Sequence, residues 1–79
     1  MVTVRYFAAA ADAAGTPAEA LTARTFGELK SAMVAAHGPD LDRVLARCAV
    51  LVGGLRLEDD AAPLADGDRA DVLPPFAGG

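Results

Sequence analysis

The chain has 79 residues, of which 53% are hydrophobic and one is a cysteine, and its formal net charge at pH 7 is −4. This length suits one small domain, and the acidic balance argues against nucleic acid as a partner, because such binding depends on lysines and arginines that neutralise phosphates. The sequence has no apolar run near the roughly 18 residues of a membrane span, no signal-peptide pattern and no second cysteine for a disulfide or a CxxC metal site, so we expect a cytoplasmic domain without membrane or metal.

The first predicted element is a half-buried strand over residues 2–7, where apolar and polar side chains alternate. One face would carry Val2, Val4 and Tyr6, and the other would carry Thr3, Arg5 and Phe7. Phe7 is therefore an aromatic residue on an otherwise polar face. It either folds under the following loop as a core residue or lies exposed to solvent.

Two short elements and one longer helix follow. The alanine-rich residues 8–14 predict a short helical turn that ends at Gly15, and residues 19–23 weakly predict a strand that returns antiparallel to the first. Thr25 and Glu28 match a capping box at the start of the main helix. The side chains that helical spacing directs toward the sheet are Phe26, Leu29, Met33 and Ala36.

His37 falls in the last turn of the main helix, which Gly38 and Pro39 end. Because the sequence has no second histidine and no cysteine pair nearby, we assign His37 no ligand or catalytic role. Asp40 is a candidate N-cap for a second short helical segment that continues through Leu45.

The second half of the chain predicts three strands. Residues 48–52 form a nearly continuous apolar run that is typical of a central strand, Gly53 and Gly54 predict a turn, and residues 55–58 predict a short edge strand. Residues 69–73 form the last strand. Alternation there directs Ala70 and Val72 inward, and Arg69, Asp71 and Leu73 outward.

Acidic residues are concentrated between positions 58 and 71. They are Glu58, Asp59, Asp60, Asp66, Asp68 and Asp71. Their spacing does not match a calcium-binding loop. We interpret them as a solvated acidic surface that steers a basic partner toward the domain.

The chain ends in Pro74-Pro75-Phe76-Ala77-Gly78-Gly79, directly after the last strand. The prolines end the sheet ladder because they have no N–H, and the glycines add no side chain. Such an end could pass through a channel too narrow for a Cβ and deliver the α-carboxylate of Gly79 to another protein's active site. A frayed terminus without function is the alternative. The predicted boundaries are 1–76 for the folded domain and 77–79 for a flexible Gly-Gly tail.

The order strand, strand, helix, strand, strand, strand predicts an α+β fold of the β-grasp type. A mixed sheet of about five strands would pack on one main helix plus short helical segments. The fold assignment, and not the periodicity, places the first and last strands side by side at the centre of the sheet. Phe7 and Leu73 would then form an exposed apolar pair beside the tail, with Leu51 next to them. We expect this pair to be a docking surface for a partner protein.

Four features of the sequence resemble the MoaD/ThiS family of sulfur carriers. They are Val4-Arg5-Tyr6-Phe7-Ala8 near the start, the alanine-rich helix closed by Gly15, the turn Leu64-Ala65-Asp66-Gly67-Asp68, and the end from Pro74-Pro75 to Gly78-Gly79. The resemblance covers essentially the whole chain. The Tyr-Phe-Ala segment and the double proline most resemble the small subunit of molybdopterin synthase.

The resemblance implies a ubiquitin-like β-grasp protein that binds no cofactor itself. With one histidine, one cysteine and no clustered triad, the sequence offers no catalytic set, so we expect no enzyme activity of its own. An E1-like adenylating enzyme of the MoeB/ThiF type would join the carboxylate of Gly79 to AMP, with ATP and Mg²⁺ held by that enzyme. The resulting thiocarboxylate would give its sulfur to a precursor in the large subunit of molybdopterin synthase, during molybdenum cofactor biosynthesis. The residues assigned to the reaction are Gly78 and Gly79. The residues assigned to partner binding are Phe7, Leu51, Leu73, Pro74, Pro75, Phe76 and Ala77.

Several functions of the same chain stay open at this point. Many carriers of the molybdopterin type have an aromatic residue where Leu73 stands, whereas the aromatic residue here is Phe76, after the prolines. A sulfur carrier for thiamine or for another sulfur-containing metabolite is therefore an alternative. A ubiquitin-like modifier that is joined to lysines through Gly79 would use the same adenylate. A binding module with an inert tail is the simplest alternative.

Overall fold

The computed structural model describes residues 1–75 of the chain. Its elements are β1 (Val2–Tyr6), α1 (Ala9–Ala14), β2 (Ala18–Leu21), α2 (Phe26–His37), α3 (Pro39–Leu45), β3 (Ala49–Val52), β4 (Leu55–Arg56) and β5 (Arg69–Leu73). The predictions made for Phe76, Ala77, Gly78 and Gly79 lie outside the described residues. Within residues 1–75, no helix has both the length and the apolar character that crossing a membrane requires.

The five strands form one mixed sheet in the order β2-β1-β5-β3-β4. β1 and β5 are parallel neighbours at its centre, and the other pairs of strands are antiparallel. An antiparallel return from β1 through α1 to β2, a helical crossover and the placement of β5 beside β1 make this the predicted β-grasp arrangement. The expected side-by-side placement of the first and last strands is confirmed.

One hydrophobic core lies between the sheet and the three helices. Alternation along the central strands buries every second residue, as predicted; the buried ones are Val2, Val4, Tyr6, Ala70 and Val72. The helices add Ala10, Ala14, Phe26, Leu29, Met33, Leu41 and Leu45. All three helices pack on one face of the sheet. We call the opposite face the outer face, and it carries the strand side chains that do not point into the core.

The start of α2 is fixed by its cap and by the loop that precedes β5. The hydroxyl oxygen of Thr25 accepts a hydrogen bond from the backbone N–H of Glu28 at 3.2 Å, as predicted. The Glu28 carboxylate accepts instead from the N–H of Arg24, one residue before the expected donor. Gly27 donates its N–H to the carbonyl of Asp60 at 2.9 Å, and a Cβ at position 27 would lie only 3.1 Å from the Cβ of Asp60. This close approach explains a glycine in the first turn of the helix.

Two predictions about the helices are wrong in detail. Ala36 is exposed and does not face the sheet, because the last turn of α2 lies at the edge of the core. His37 occupies that edge, and its ring meets the ring of Tyr6 at right angles with 5.9 Å between the centroids. Asp40 does not cap α3: the N-cap is Gly38 and Pro39 is the first helical residue. A proline is well placed there, since its fixed φ suits a helix and its missing N–H would have no partner.

The acidic residues between positions 58 and 71 do not form one free acidic surface. Four of them are in ion pairs, which are Glu58 with Arg56, Asp60 with Lys30, Asp66 with the N-terminal amino group, and Asp71 with Arg5. The other two accept hydrogen bonds from backbone N–H groups in turns, Asp59 from Ala61 and Asp68 from Ala65. The sequence shows how many carboxylates are present, but their pairing depends on the fold.

Candidate functional site on the outer face of the sheet

Strand register places a row of side chains across the outer face. Residues directly opposite each other on neighbouring strands share a face of the sheet. Arg5 lies opposite Ala18 on β2 and Asp71 on β5. Leu51 on β3 lies opposite Asp71 on one side and Arg56 on the other. The row is therefore Ala18, Arg5, Asp71, Leu51 and Arg56.

Apolar side chains lie at the end of the outer face where β5 ends. The backbone N–H of Phe7 donates to the carbonyl of Val72 at 3.2 Å, so the pairing of β1 with β5 continues past Tyr6 and brings Phe7 level with Leu73. The Phe7 side chain is 38% exposed, which excludes the alternative of a core residue under a loop. Leu51 and Leu73 are half-buried. We call Phe7, Leu51 and Leu73 the apolar patch.

A fixed ion pair borders the apolar patch. The guanidinium of Arg5 donates two hydrogen bonds to Asp71, from Nε to Oδ1 at 2.8 Å and from Nη2 to Oδ2 at 3.1 Å. Its central carbon also lies 5.5 Å from the centroid of the Phe7 ring, within the range of a cation–π contact. The two-point contact restricts the guanidinium plane, and the guanidinium supports one side of the aromatic ring.

Acidification should remove the stabilisation that Asp71 contributes. The hydrogen bond from Arg5 holds the pKa of the Asp71 carboxyl below its ordinary value of 3.8. Because the pKa is lower in the folded state, the contribution is complete above the ordinary value and is lost as the pH falls through the folded-state value. When the pH is lowered from about 5 to about 2, the unfolding free energy of Asp71→Asn should fall less than that of the parent chain. The difference between the two losses should be under about 1 kcal/mol, because the ion pair is partly exposed. Urea titrations at the two pH values check this, and equal losses would contradict it.

The chain leaves the sheet directly beside the apolar patch. Pro74 follows Leu73 without a linker, and Pro74 is half-buried while Pro75 is exposed. Neither proline can donate to the ladder, so pairing ends at Leu73. Both prolines also line a groove between α1 and α3, together with Val44 and Arg47. The structure thus brings four of the predicted site residues to one end of the sheet, Phe7, Leu73, Pro74 and Pro75, and Leu51 lies one row further along, opposite Asp71.

Sequence reasoning missed the pairing of Arg5 with Asp71. Alternation places both residues on outward faces, and the β-grasp assignment makes their strands neighbours. The missing information was the register, which decides that Arg5 meets Asp71 and not Arg69. An outward arginine and an outward aspartate on two strands expected to be adjacent is a signal that could have found the pair.

A second polar cluster was also missed, on the side of the sheet that faces the helices. The Tyr6 hydroxyl donates to Oε2 of Glu19 at 2.6 Å, and Nε2 of His37 contacts the same oxygen. Burial, followed by the hydrogen bond with Glu19, raises the pKa of Tyr6, so this phenol stays protonated. The cluster connects β1, β2 and the end of α2, which gives His37 a structural role.

Cys48 is half-buried and packs against the core, as the sequence predicted. Its Sγ donates to the carbonyl of Val44 at 3.2 Å. Burial raises the pKa of the Cys48 thiol, which favours the protonated and weakly nucleophilic form.

Comparison with known protein families matches residues 4–79 to the ThiS family. None of the curated proteins matches the chain. Among solved structures, SAMP1 from Haloferax volcanii is 28% identical, with a TM-score of 0.84 and coverage of 99% of this chain and 98% of that one. Small archaeal modifier protein 1 from Methanosarcina acetivorans is 26% identical, with a TM-score of 0.85 over 99% and 95% of the two chains.

A third similar structure is a protein–protein complex. It contains subunits 1 and 2 of the molybdopterin-converting factor from Helicobacter pylori. The matched chain is 27% identical to this one, with a TM-score of 0.72, and the match covers 99% of this chain and 97% of that one. The β-grasp fold derived from the strand order is therefore shared with proteins of matching length.

Proposed function

The chain belongs to the ThiS family of small ubiquitin-like sulfur carriers, and from this membership we propose that it is the small subunit of molybdopterin synthase. In this proposal Gly79 is the residue that is adenylated and converted to a thiocarboxylate. The chain itself catalyses nothing. Its partners are an E1-like adenylating enzyme and a large subunit in which the sulfur is transferred.

The observation that carries the proposal is the position of the apolar patch, at the point where the chain leaves β5. A partner that binds over Phe7 and Leu73 is held at a defined position relative to Pro74, the first residue after the sheet. Even fully extended, the four residues from 76 to 79 reach at most about 14 Å. The active site of any partner docked on the patch must therefore lie within about that distance of Pro75. Docking then replaces a random encounter of the reacting group with an oriented one.

The proposed chemistry follows from the reactivity of a carboxylate. A carboxylate is a poor electrophile because neither of its oxygens is a good leaving group. One oxygen of Gly79 would attack the α-phosphorus of ATP in the adenylating enzyme and release pyrophosphate. A sulfur nucleophile would then attack the activated carbonyl carbon and release AMP. The product is a thiocarboxylate, whose nucleophilic sulfur can attack a pterin precursor inside the large subunit, away from bulk water.

ATP and Mg²⁺ are assigned to the adenylating enzyme in this proposal. The glycine pair of the β3–β4 turn, Gly53 and Gly54, is not followed by the Lys and Ser/Thr of a phosphate-binding loop. The one thiol of the chain, Cys48, is engaged with the carbonyl of Val44. Activation and sulfur donation are accordingly assigned to the partners.

The test is a reconstitution with both partners from the same organism. The chain ending in Gly79 is incubated with the adenylating enzyme, ATP, Mg²⁺ and a sulfide source, and its intact mass is measured. We expect the replacement of one oxygen by one sulfur, and then loss of that sulfur when the large subunit and its pterin substrate are added. A thiocarboxylate that forms but is not consumed by the large subunit would instead favour a carrier for another metabolite. No thiocarboxylate at all would contradict the carrier function.

A ubiquitin-like modifier is the second candidate, favoured by the similarity to the small archaeal modifier protein of Methanosarcina acetivorans. In that case the adenylate of Gly79 would be attacked by a lysine amine of a target protein instead of a sulfur donor. Protein purified from its own cells separates the two, since an isopeptide-linked glycine remnant on lysines of other proteins appears only for a modifier.

Phe7→Ala should weaken partner binding at least tenfold, because truncating an aromatic residue at the centre of an interface costs about 2 kcal/mol or more. The melting temperature of the free domain should hardly change, since Phe7 lies on the outer face and is not part of the core. Leu55→Ala is the matched control, because Leu55 is also an exposed large apolar residue but lies on the edge strand β4. Binding titrations and melting curves of both variants check this. A Phe7→Ala protein that unfolds easily yet binds normally when folded would show that Phe7 contributes to stability and not to docking.

A further inference from the structure

Charge on the outer face differs in sign from the charge of the whole chain. The chain carries −4. In contrast, the outward positions of the two central strands carry two arginines, Arg5 and Arg69, and one carboxylate, Asp71. The remaining outward residue of β1 within the ladder is Thr3, opposite Arg69. The centre of this face is therefore slightly basic in an acidic protein.

Arg69 holds the excess positive charge. Both hydrogen bonds to the Asp71 carboxylate come from Arg5, and Arg69 adds a weaker charge attraction that also lowers the pKa of Asp71. Arg69 is exposed, and the ion pairs formed among residues 1–75 do not include it. At the edge of the sheet, Arg56 is balanced by Glu58 at 3.7 Å.

Arg69 lies within reach of a partner centred on the apolar patch. A standard interface covers about 800 Å² on each partner, which corresponds to a circle of about 16 Å radius. Arg69 precedes Leu73 by four residues on the same strand, and at about 3.3 Å per residue the two are about 13 Å apart. Arg69 would thus lie at the rim of the contact, where a charged group remains partly hydrated and influences mainly the association rate.

We propose that Arg69 is a specificity-determining residue of the outer face, and that the protein surface docking there presents an aspartate or glutamate side chain opposite it. This inference rests on the proposed function, in which the large subunit covers the outer face. An acidic residue on the partner is the opposite of the basic partner that we expected from the net charge of the chain. Exposed charges more than about 8 Å apart are largely screened at physiological ionic strength, so the charged side chains of this face, two arginines and one carboxylate, outweigh the net charge of the chain at contact.

The experiment measures association and dissociation rates of the full chain with the large subunit, at low and at high salt. We expect Arg69→Glu to slow association at least about threefold at low salt, with little change in dissociation. The difference should shrink at high salt, where the Debye length falls to about 3 Å at 1 M. Arg69→Lys, which keeps the charge, should associate like the parent chain. Arg24→Glu is the matched control, because it makes the same charge change at an exposed residue in the segment before α2.

Each outcome decides between the inferences. The acidic contact is supported if Arg69→Glu associates more slowly than the parent chain while Arg69→Lys and the control Arg24→Glu associate at the parent rate. Unchanged or faster association for Arg69→Glu, while the parent chain binds well, overturns this inference and leaves the proposed function in place. A parent chain that does not bind the large subunit overturns both. Melting curves show whether Arg69→Glu is folded, and if it is not, Arg69→Gln replaces it with a smaller expected slowing in the same direction.

Discussion

Gly78→Ala is expected to reduce adenylation of the chain by about 100-fold or more, since displacing reacting groups by about 1 Å can cost that much. A channel that admits a Gly-Gly end need be no wider than the backbone, and a Cβ at position 78 would either be refused or hold Gly79 out of position. The reaction is measured as ATP–pyrophosphate exchange catalysed by the adenylating enzyme.

The control for this experiment removes a Cβ instead of adding one. Ala77→Gly, at the neighbouring position, should exchange at nearly the parent rate. Both variants should have the melting temperature of the parent chain, because positions 77 and 78 come after Val72, the last residue of the described core. An exchange rate for Gly78→Ala equal to that of the parent chain would contradict the hypothesis that this glycine passes through a narrow channel.

Leu29→Ala is expected to destabilise the domain by about 2–5 kcal/mol, the range for truncating a buried leucine. Leu29 is fully buried on the face of α2 that joins the core, together with Met33 and the sheet residues Val4 and Val50. A small domain has a total stability of only about 5–15 kcal/mol, so this one change could remove a third or more of it.

The matched control is the same substitution at an exposed position. Leu55 is 72% exposed on β4, so Leu55→Ala should change the unfolding free energy by less than about 0.5 kcal/mol. Urea denaturation of the two variants gives the comparison. Equal destabilisation by both substitutions would mean that the buried face of α2 has been assigned incorrectly.

Local pattern was sufficient to predict most of the architecture. Alternation along residues 2–7 and 69–73 correctly divided inward from outward side chains, because a strand has a period of two whatever its neighbours are. The main helix was located by its cap at Thr25 and by the spacing of Leu29 and Met33. Phe7 was correctly predicted to face solvent because alternation placed it on the same face as Thr3 and Arg5.

The errors arose where the answer depends on contacts distant in sequence. Helical spacing alone cannot show that α2 runs past the edge of the core at Ala36, because that edge is set by the sheet. Composition alone cannot show which cation each carboxylate finds, as for Asp60 with Lys30. The contact of Arg5 with Asp71 depends on the register of two strands 66 residues apart. For the site, the docking role of the patch and the chemistry at Gly79 remain predictions, and Phe76–Gly79 lie outside the described residues.

The parallel pairing of β1 with β5 also decides where a label can be attached. Because the two strands run in the same direction, Met1 lies at the end of the sheet opposite to Pro74. Five residues of strand separate those ends by about 17 Å. An affinity tag or fluorophore joined to the N-terminus would leave the domain on the side away from the apolar patch. It would convert the terminal amine to an amide and remove its ion pair with Asp66, but that pair is exposed and contributes little to stability. Labelled carrier should therefore report on docking at the apolar patch, whereas contacts of Arg69, which lies opposite Thr3, are measured on the unlabelled chain.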